Sequence, residues 1–154
     1  MKLTAFTDYS LRVLMYLAAE PNRRATIAEI CAAFDIKENH LTKVVHQLAK
    51  GGWIETVRGK GGGLTLARSA DAISVGEVVR QTEGDVIPAE CFSSGESHCA
   101  IVRHCGLKGV LAEAADAFQA VLDRYTLADI TQNQKVRASI LRLHRPLAPR
   151  RIEP

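Results

Sequence analysis

The sequence predicts a mainly α-helical protein with one small β-hairpin. Apolar residues recur at helical spacing through most of the chain, only 5% of the residues are aromatic, and one glycine-rich turn lies between two short β-prone runs. With 154 residues, 47% of them hydrophobic, the chain is long enough to bury a core. We therefore expect one domain with an appended element.

The first 50 residues predict three helices. The first, from about residue 5 to residue 19, is expected to act as scaffold, because Phe6, Val13, Leu14 and Leu17 form an apolar face. Thr26 and Glu29 fit a capping box that opens a helix running to about residue 34. Residues 35–37 form a short connection, and the third helix runs from about residue 38 to residue 50, where two glycines end it.

The third helix has one apolar and one polar face. Its apolar residues follow an i, i+3, i+4, i+7 spacing: Leu41, Val44, Val45 and Leu48. Two short helices joined by a tight turn, the second basic on its outer side, are typical of a major-groove reader, although a solvated amphipathic helix looks similar. Asn and Gln can pair with adenine and Lys with guanine. The candidate DNA contacts on this helix are Asn39, His40, Lys43 and Gln47.

A β-hairpin follows directly. Residues 53–58 and 64–68 read as strands, and the turn between them, residues 59–63, is four glycines and Lys60. A hairpin after a recognition helix, with Arg58 and Lys60 at its tip, predicts a winged helix-turn-helix. Such a tip can lie along a phosphate backbone or enter the minor groove. The glycine run lacks the known nucleotide-binding patterns and does not open a helix.

Residues 84–105 carry three of the four cysteines. A helix from Ser74 to about residue 83 completes the DNA-binding domain, residues 1–83, and helical periodicity is then lost. The spacing of Cys91, Cys99 and Cys105 is neither that of a zinc ribbon nor that of a bacterial ferredoxin. So wide a spacing favours a loop wrapped around an iron–sulfur cluster. Zinc bound with His98 or His104 stays open, as do disulfides, and Cys31 is expected in the core.

Residues 106–132 contain the longest periodic segment, with a short helix after it. Its apolar residues alternate by four and three, a seam typical of a coiled coil: Leu107, Leu111, Ala114, Phe118, Val121 and Tyr125. A winged helix needs a symmetric partner to read a palindrome. We therefore expect a homodimer, with packing on its own domain as the alternative.

The charge distribution indicates which parts meet a polyanion. Residues 1–70 carry ten Lys or Arg against six Asp or Glu, residues 71–132 carry four against ten, and residues 133–154 carry six against one. The basic ends are therefore expected to face nucleic acid. The tail, residues 133–154, is expected to be a disordered basic arm. No stretch reads as a signal peptide or membrane span, so we expect a cytoplasmic protein.

Residues 1–132 resemble a known family in colinear order. The likeness rests on MKLTAFTDYSLRVLMYLA, on VRGKGGGLTLAR and on three cysteines before a long helix. These segments are similar to the iron–sulfur winged-helix transcription regulators of the IscR and NsrR type. The nitric-oxide-sensing branch is the most similar, and TLADI also matches that branch.

The resemblance implies a ligand set and a signal. Cys91, Cys99 and Cys105 would bind a 4Fe–4S cluster, with Asp8 of the other subunit as fourth ligand and nitric oxide as the signal. The IscR branch binds a 2Fe–2S cluster with a histidine three residues after the last cysteine, where this chain has Lys108. The gap between the first two cysteines is longer than usual for the family, which leaves Glu90, His98 and His104 as substitute ligands.

Two other functions compete with a nitric-oxide-sensing repressor of palindromic operators. One is a regulator of redox or iron–sulfur status with a 2Fe–2S cluster or zinc in the loop. The other, from a different class, is an iron–sulfur electron carrier, which would not need a wing. An enzyme is not expected, because the chain has no second cofactor motif and no nucleophile–base arrangement.

Overall fold

The computed structural model describes residues 2–84, 89–92 and 99–144, and its secondary structure confirms the expected fold class. This part of the chain consists of helices and one pair of antiparallel strands. The elements are α1 (Ala5–Ala19), α2 (Ile27–Phe34), α3 (Glu38–Lys50), β1 (Ile54–Val57), β2 (Gly63–Leu66), α4 (Val75–Glu83), α5 (Gly106–Asp123), α6 (Leu127–Thr131) and α7 (Gln134–Leu143). Short 3₁₀ turns lie at Ala70–Ala72, Glu90–Phe92 and Val102–His104.

Helix α1 lies at the centre of the core and contacts α3, α4, α6 and α7. Three residues of its predicted apolar face are buried as expected: Val13, Leu14 and Leu17. Phe6 is only partly buried but packs against the core. The apolar stripe of α3 is buried in full: Leu41, Val44, Val45 and Leu48. Burying these stripes removes apolar surface from water at roughly 25 cal/mol per Å², which drives the helices together.

The capping box predicted for α2 is present. The backbone N–H of Glu29 donates to the Thr26 hydroxyl, and the Glu29 carboxylate accepts the Thr26 backbone N–H at 2.7 Å. Helix α6 begins with a second such box, formed by Thr126 and Asp129. Because each box satisfies orphan N–H groups at a helix start, the chain can turn sharply there.

The hairpin is shorter than the sequence predicted, with strands at residues 54–57 and 63–66. Ile54 pairs with Leu66 and Val57 with Gly63. Leu64 also forms a bridge with Ala25, in which each N–H donates to the other's carbonyl, at 2.7 and 3.1 Å. This bridge fixes the base of the hairpin to the segment before α2.

The C-terminal end of helix α5 is attached to helix α4. Arg80 on α4 donates to Asp123 at 2.6 and 2.8 Å, and Gln119 donates to the carbonyl of Gly76 at 3.2 Å. A Cβ atom at Gly76 would lie 2.9 Å from the backbone nitrogen of Asp123, so glycine permits this close approach. The α5–α6 turn is bound to α4 through a bridge between Ser74 and Thr126.

The structure differs from the expected disordered arm at residues 134–143, which form α7. Ile140 is buried there, and Val136 and Leu141 pack against the core. Beyond them His144 lies 4.0 Å from the Tyr16 ring, centroid to centroid. These apolar residues recur at helical spacing, a signal that the basic composition of the segment obscured. Residues 145–154 of the expected arm lie outside the described part.

Candidate functional site

The exposed face of α3 carries the candidate DNA contacts. Asn39, His40 and Lys43 are exposed, and Gln47 is half-buried one turn further along. The structure therefore presents these polar groups on the side opposite the buried stripe. Lys37 is the N-cap residue of α3, and no side chain among the described residues caps this helix end. N–H groups at the start of α3 therefore face solvent beside a basic residue.

The wing tip is exposed and built on glycines. Arg58 and Lys60 are both exposed, and Gly59 and Gly61 adopt φ values of +92° and +77°. Side chains rarely adopt these positive φ values, so the two glycines allow the tight turn that projects Lys60.

Arg24 supports the wing and was not found from the sequence. Its guanidinium donates to the carbonyl of Gly61 at 3.2 Å, across 37 residues of chain. No local pattern distinguishes Arg24 from Arg23, whose guanidinium pairs with Glu29 at 2.6 Å instead. Only the Ala25–Leu64 bridge brings Arg24 beside the turn.

The cysteines of the loop lie in two described pieces. Cys91 is half-buried in a 3₁₀ turn, Cys105 is half-buried at the start of α5, and Cys99 is exposed. Of the substitute ligands, Glu90 and His104 are exposed and His98 lies outside the described residues. Cys31 lies apart at the edge of the core, where burial, helped by Glu38, raises the pKa of its thiol. A thiol in that state is structural.

An open cleft of about 740 Å³ lies around Cys105. It is lined by both positive and apolar groups, among them Arg103, Lys108 and Phe92. The Lys108 ammonium lies 5.7 Å from the centroid of the Phe92 ring. Cys105 is the N-cap residue of α5, and no described side chain caps that helix end. The cleft therefore combines the thiol of Cys105 with cations and free N–H groups, which suits an anionic group bound by a thiolate.

Within residues 2–84, 89–92 and 99–144, no three His, Cys, Asp or Glu side chains are gathered in metal-binding geometry. The structure thus does not bring Cys91, Cys99 and Cys105 together with Asp8. The donor set still fits an iron–sulfur cluster chemically, because cysteine thiolates are the soft ligands that hold such clusters.

Asp8 is engaged within its own helix. Its carboxylate accepts from Arg12 at 2.8 and 3.0 Å, an i, i+4 ion pair with both side chains less than half exposed. Asp8 lies in the first turn of α1, directly after Thr7, which is 0% exposed. The position is therefore held firmly while the carboxylate itself can be reached.

Helix α5 exposes much of the predicted seam. Leu107 is 62% exposed, Val121 and Tyr125 are exposed too, and Leu111 and Phe118 are half-buried. None of the helix's residues is fully buried. An 18-residue helix with an apolar face open to solvent is unusual in a monomer.

Comparisons with known proteins agree on one family. The family model described as Rrf2, iron-dependent transcriptional regulator, matches residues 3–133. The HTH-type transcriptional regulator NsrR of Bacillus subtilis is 47% identical over 144 residues, which cover 93% of this chain and 99% of that protein.

Solved structures show the same fold. The global cysteine regulator CymR of B. subtilis superposes with a TM-score of 0.69 at 26% identity, covering 86% of this chain and 97% of that one. T. potens IscR superposes with a TM-score of 0.68 at 25% identity, covering 86% and 88%. Among the described helices, none is long and apolar enough to cross a membrane.

Proposed function

The chain belongs to the Rrf2 family of iron-dependent transcriptional regulators, and on this premise we propose that it is a nitric-oxide-sensing repressor. In this proposal it binds palindromic operator DNA as a homodimer, and a 4Fe–4S cluster controls its DNA affinity. As a member of this family the chain is a DNA-binding transcription regulator and not an enzyme.

The DNA-binding part of the proposal rests on α3 and the wing. Asn39 and Gln47 can each make two hydrogen bonds to adenine, and Lys43 and His40 can donate to guanine or phosphate. Arg58 and Lys60, on a wing braced by Arg24, reach the backbone on either side of the groove. Phosphate contacts position the protein, and contacts of α3 select the sequence.

Cys91, Cys99 and Cys105 are the residues that would hold the cluster in one subunit. Thiolates are soft ligands for iron, and the cations Arg103 and Lys108 in the same cleft offset the negative charge of a thiolate-bound cluster. When bound, the cluster supplies iron that reacts with nitric oxide. Asp8 of the other subunit is proposed as the fourth ligand.

Arg12 gives Asp8 an alternative partner. In this proposal Asp8 would hold the cluster of the neighbouring subunit, and without that bond it would pair with Arg12, as in this structure. Asp8 would thus have either a bond between subunits or a bond within one helix. The two DNA-binding domains then lose a fixed relative placement, and a coupling of about 1–3 kcal/mol is enough to change operator affinity about five- to 150-fold.

The exposed apolar face of α5 is the proposed dimer contact. Its exposed apolar side chains include Leu107 in the first turn and Val121 in the last, and Tyr125 just after the helix is exposed as well. In this proposal, pairing of the face brings each cleft near the other subunit and lets both α3 helices meet the same DNA. Half-sites on DNA would then lie about one helical turn apart.

The observation that carries the proposal is the half-buried thiol of Cys105 in a cation-lined cleft, at a helix start that no described side chain caps. The test is iron and acid-labile sulfide per subunit on anaerobically purified protein, with the visible spectrum recorded during nitric oxide titration. About four irons and four sulfides, bleached by nitric oxide, are expected for this ligand set. Two irons per subunit that do not react with nitric oxide, or zinc alone, would favour a regulator of redox or iron–sulfur status instead.

A further inference from the structure

The Arg24 guanidinium lies at the tip of the wing, although Arg24 precedes α2 in the sequence. It donates to the carbonyl of Gly61 at 3.2 Å, and Gly61 directly follows Lys60. The bridge between Ala25 and Leu64 holds the backbone beside Arg24 against the hairpin. The guanidinium is therefore at the same end of the hairpin as the exposed cations of the wing.

The stem of the Arg24 side chain also packs closely on the hairpin. A Cβ atom at Gly63 would lie 3.1 Å from the Cβ atom of Arg24 and 2.9 Å from the carbonyl oxygen of Ala25. Glycine at position 63 therefore lets the segment before α2 approach the hairpin. Both ends of the Arg24 side chain are thus placed by the wing, the Cβ atom beside Gly63 and the guanidinium on Gly61.

The charge of Arg24 is not neutralised by a carboxylate in the described part of the chain. Arg24 is exposed, and the carbonyl of Gly61 is the partner that the structure gives its guanidinium there. The neighbouring Arg23 differs, because it pairs with Glu29 at 2.6 Å. A guanidinium has more N–H donors than one carbonyl accepts. The remaining donors of Arg24 are therefore available to an anion that approaches the wing tip.

We propose that Arg24 is a further DNA contact, which binds a backbone phosphate beside the wing while it holds the glycine turn in place. The proposal rests on the proposed function, in which Arg58 and Lys60 contact phosphates. A guanidinium suits this ligand because its planar N–H groups match two phosphate oxygens. The bond to Gly61 adds preorganisation, because a turn with four glycines loses much conformational freedom when DNA orders it.

An Arg24 that only supported the wing would behave differently. Its loss would then weaken DNA binding solely by letting Arg58 and Lys60 move. A residue that itself neutralises a phosphate releases counterions, so its loss lowers the slope of log affinity against log salt even when Arg58 and Lys60 are absent. The two roles therefore separate in a variant that lacks the wing cations.

The experiment is fluorescence anisotropy of full-length protein with a labelled DNA duplex of mixed sequence, at several salt concentrations. Phosphate contacts supply nonspecific binding, so no operator is needed. Arg24→Gln is made in wild type and in the double variant Arg58→Ala, Lys60→Ala. Arg24→Lys, which keeps the charge, is made in wild type. Thermal unfolding of each variant shows that it folds.

Arg68→Gln is the matched control. Arg68 also donates to a glycine carbonyl, that of Gly52, at 3.2 Å. It differs from Arg24 in pairing with a carboxylate, that of Glu77 at 3.6 Å, and in following β2 at the base of the hairpin. Its loss removes the same charge and the same kind of hydrogen bond from a position away from the wing tip.

Arg24→Gln is expected to lower the salt slope by about one in both backgrounds, whereas Arg24→Lys and Arg68→Gln keep the slope of wild type. The affinity ratio between parent and Arg24→Gln should then shrink about three- to fourfold from about 50 mM to 200 mM salt. An unchanged slope in Arg24→Gln would overturn the proposal. So would a fall confined to the background that keeps the wing cations, or an equal fall in Arg24→Lys or Arg68→Gln.

Failure of the proposed function gives a different result. If Arg58→Ala, Lys60→Ala and Arg24→Gln all keep the wild-type slope, the wing contact of the proposed function fails together with that of Arg24. If Arg24→Gln alone keeps it, only the contact of Arg24 fails. A wild-type protein that binds no duplex would overturn DNA binding itself.

Discussion

At the residue scale, the proposed cluster site depends on Asp8, a side chain with two possible partners. Asp8 pairs with Arg12 in this structure, and that ion pair lies on a partly exposed helix surface. Pairs of this kind stabilise a helix by only about 0.3–0.5 kcal/mol. Asp8 can therefore leave Arg12 for a metal at little cost in stability.

Changing Asp8 to Asn separates its two roles. The free energy of unfolding of the cluster-free protein, measured by thermal unfolding, is expected to change by less than about 0.5 kcal/mol. Cluster affinity is expected to fall about tenfold or more, because even partners that merely orient metal ligands contribute this much. Iron retained after dialysis against a chelator measures the change in affinity. Asp35→Asn, an exposed acid in the turn after α2, is the control, and equal retention in the two variants would count against Asp8 as a ligand.

Glu29 makes stability dependent on acid pH. Burial would raise the pKa of its carboxyl, but hydrogen bonds from Thr26 and the nearby Arg23 outweigh burial and lower it below the ordinary 4.5. A carboxyl whose pKa is lower in the folded state stabilises the fold above its unfolded-state pKa. This contribution is lost as the pH falls through the lowered value.

The variant that tests this pH dependence is Glu29→Gln. It is expected to unfold at a lower temperature than wild type at about pH 7, with a difference that narrows as the pH falls below about 4.5. Circular dichroism melts across this pH range measure the difference. Glu55→Gln, an exposed carboxyl on β1, controls for the change in net charge. A difference that stays constant with pH would assign the effect to packing of the side chain.

At the scale of elements, we propose different roles for α3 and the wing on DNA. In this proposal the wing contacts the phosphate backbone, since Arg58 and Lys60 lie at a tip made of glycines with no shape to fit a base. The amides of α3 would distinguish the bases. Removing a side chain that makes two hydrogen bonds to one base should weaken binding by about 1–3 kcal/mol, and only binding to the preferred operator.

The double change Arg58→Ala, Lys60→Ala tests the wing. Operator and unrelated DNA are expected to bind more weakly by the same factor, and the slope of log affinity against log salt should fall by about one for each phosphate that the variant no longer neutralises. Fluorescence anisotropy at several salt concentrations gives both values. Arg124→Ala, at the C-terminal end of α5, is the control. Unchanged DNA binding would show that Arg58 and Lys60 neutralise no phosphate, and would leave α3 as the DNA-binding element.

At the scale of the whole molecule, α5 remains incompletely packed by its own chain. It touches α4 through Asp123 and Gln119, while Leu107 and Val121 face solvent. The side chains that hydrogen-bond it to α4 are polar, and the large side chains Leu107 and Val121 that it exposes are apolar. We propose a second copy of the chain as the partner that covers this face.

Replacing Leu107 and Val121 together with Glu is expected to give monomers, because carboxylates on both sides of a paired seam repel and lose solvation. Sedimentation velocity measures the change, and operator affinity should fall with it. Ala120→Glu adds a charge at an exposed position of α5 away from the seam and should leave a dimer. A dimer that survives the double change would place the contact elsewhere.

What the sequence by itself determined is local. The bounds of α1 and α3, the capping box of Thr26 and Glu29 and the buried stripe from Leu41 to Leu48 follow from spacings of three or four residues. Such spacings act through the geometry of one helix and need no knowledge of its neighbours.

Only the tertiary structure decided which distant residues meet. The Glu83–Thr7 contact, the Arg24–Gly61 brace and the packing of α7 by Ile140 join residues dozens of positions apart. No short pattern specifies such pairs, because each depends on the directions in which several packed helices enter and leave the core. The candidate DNA contacts could be proposed from the sequence for the opposite reason, since one helix face and one turn contain them all.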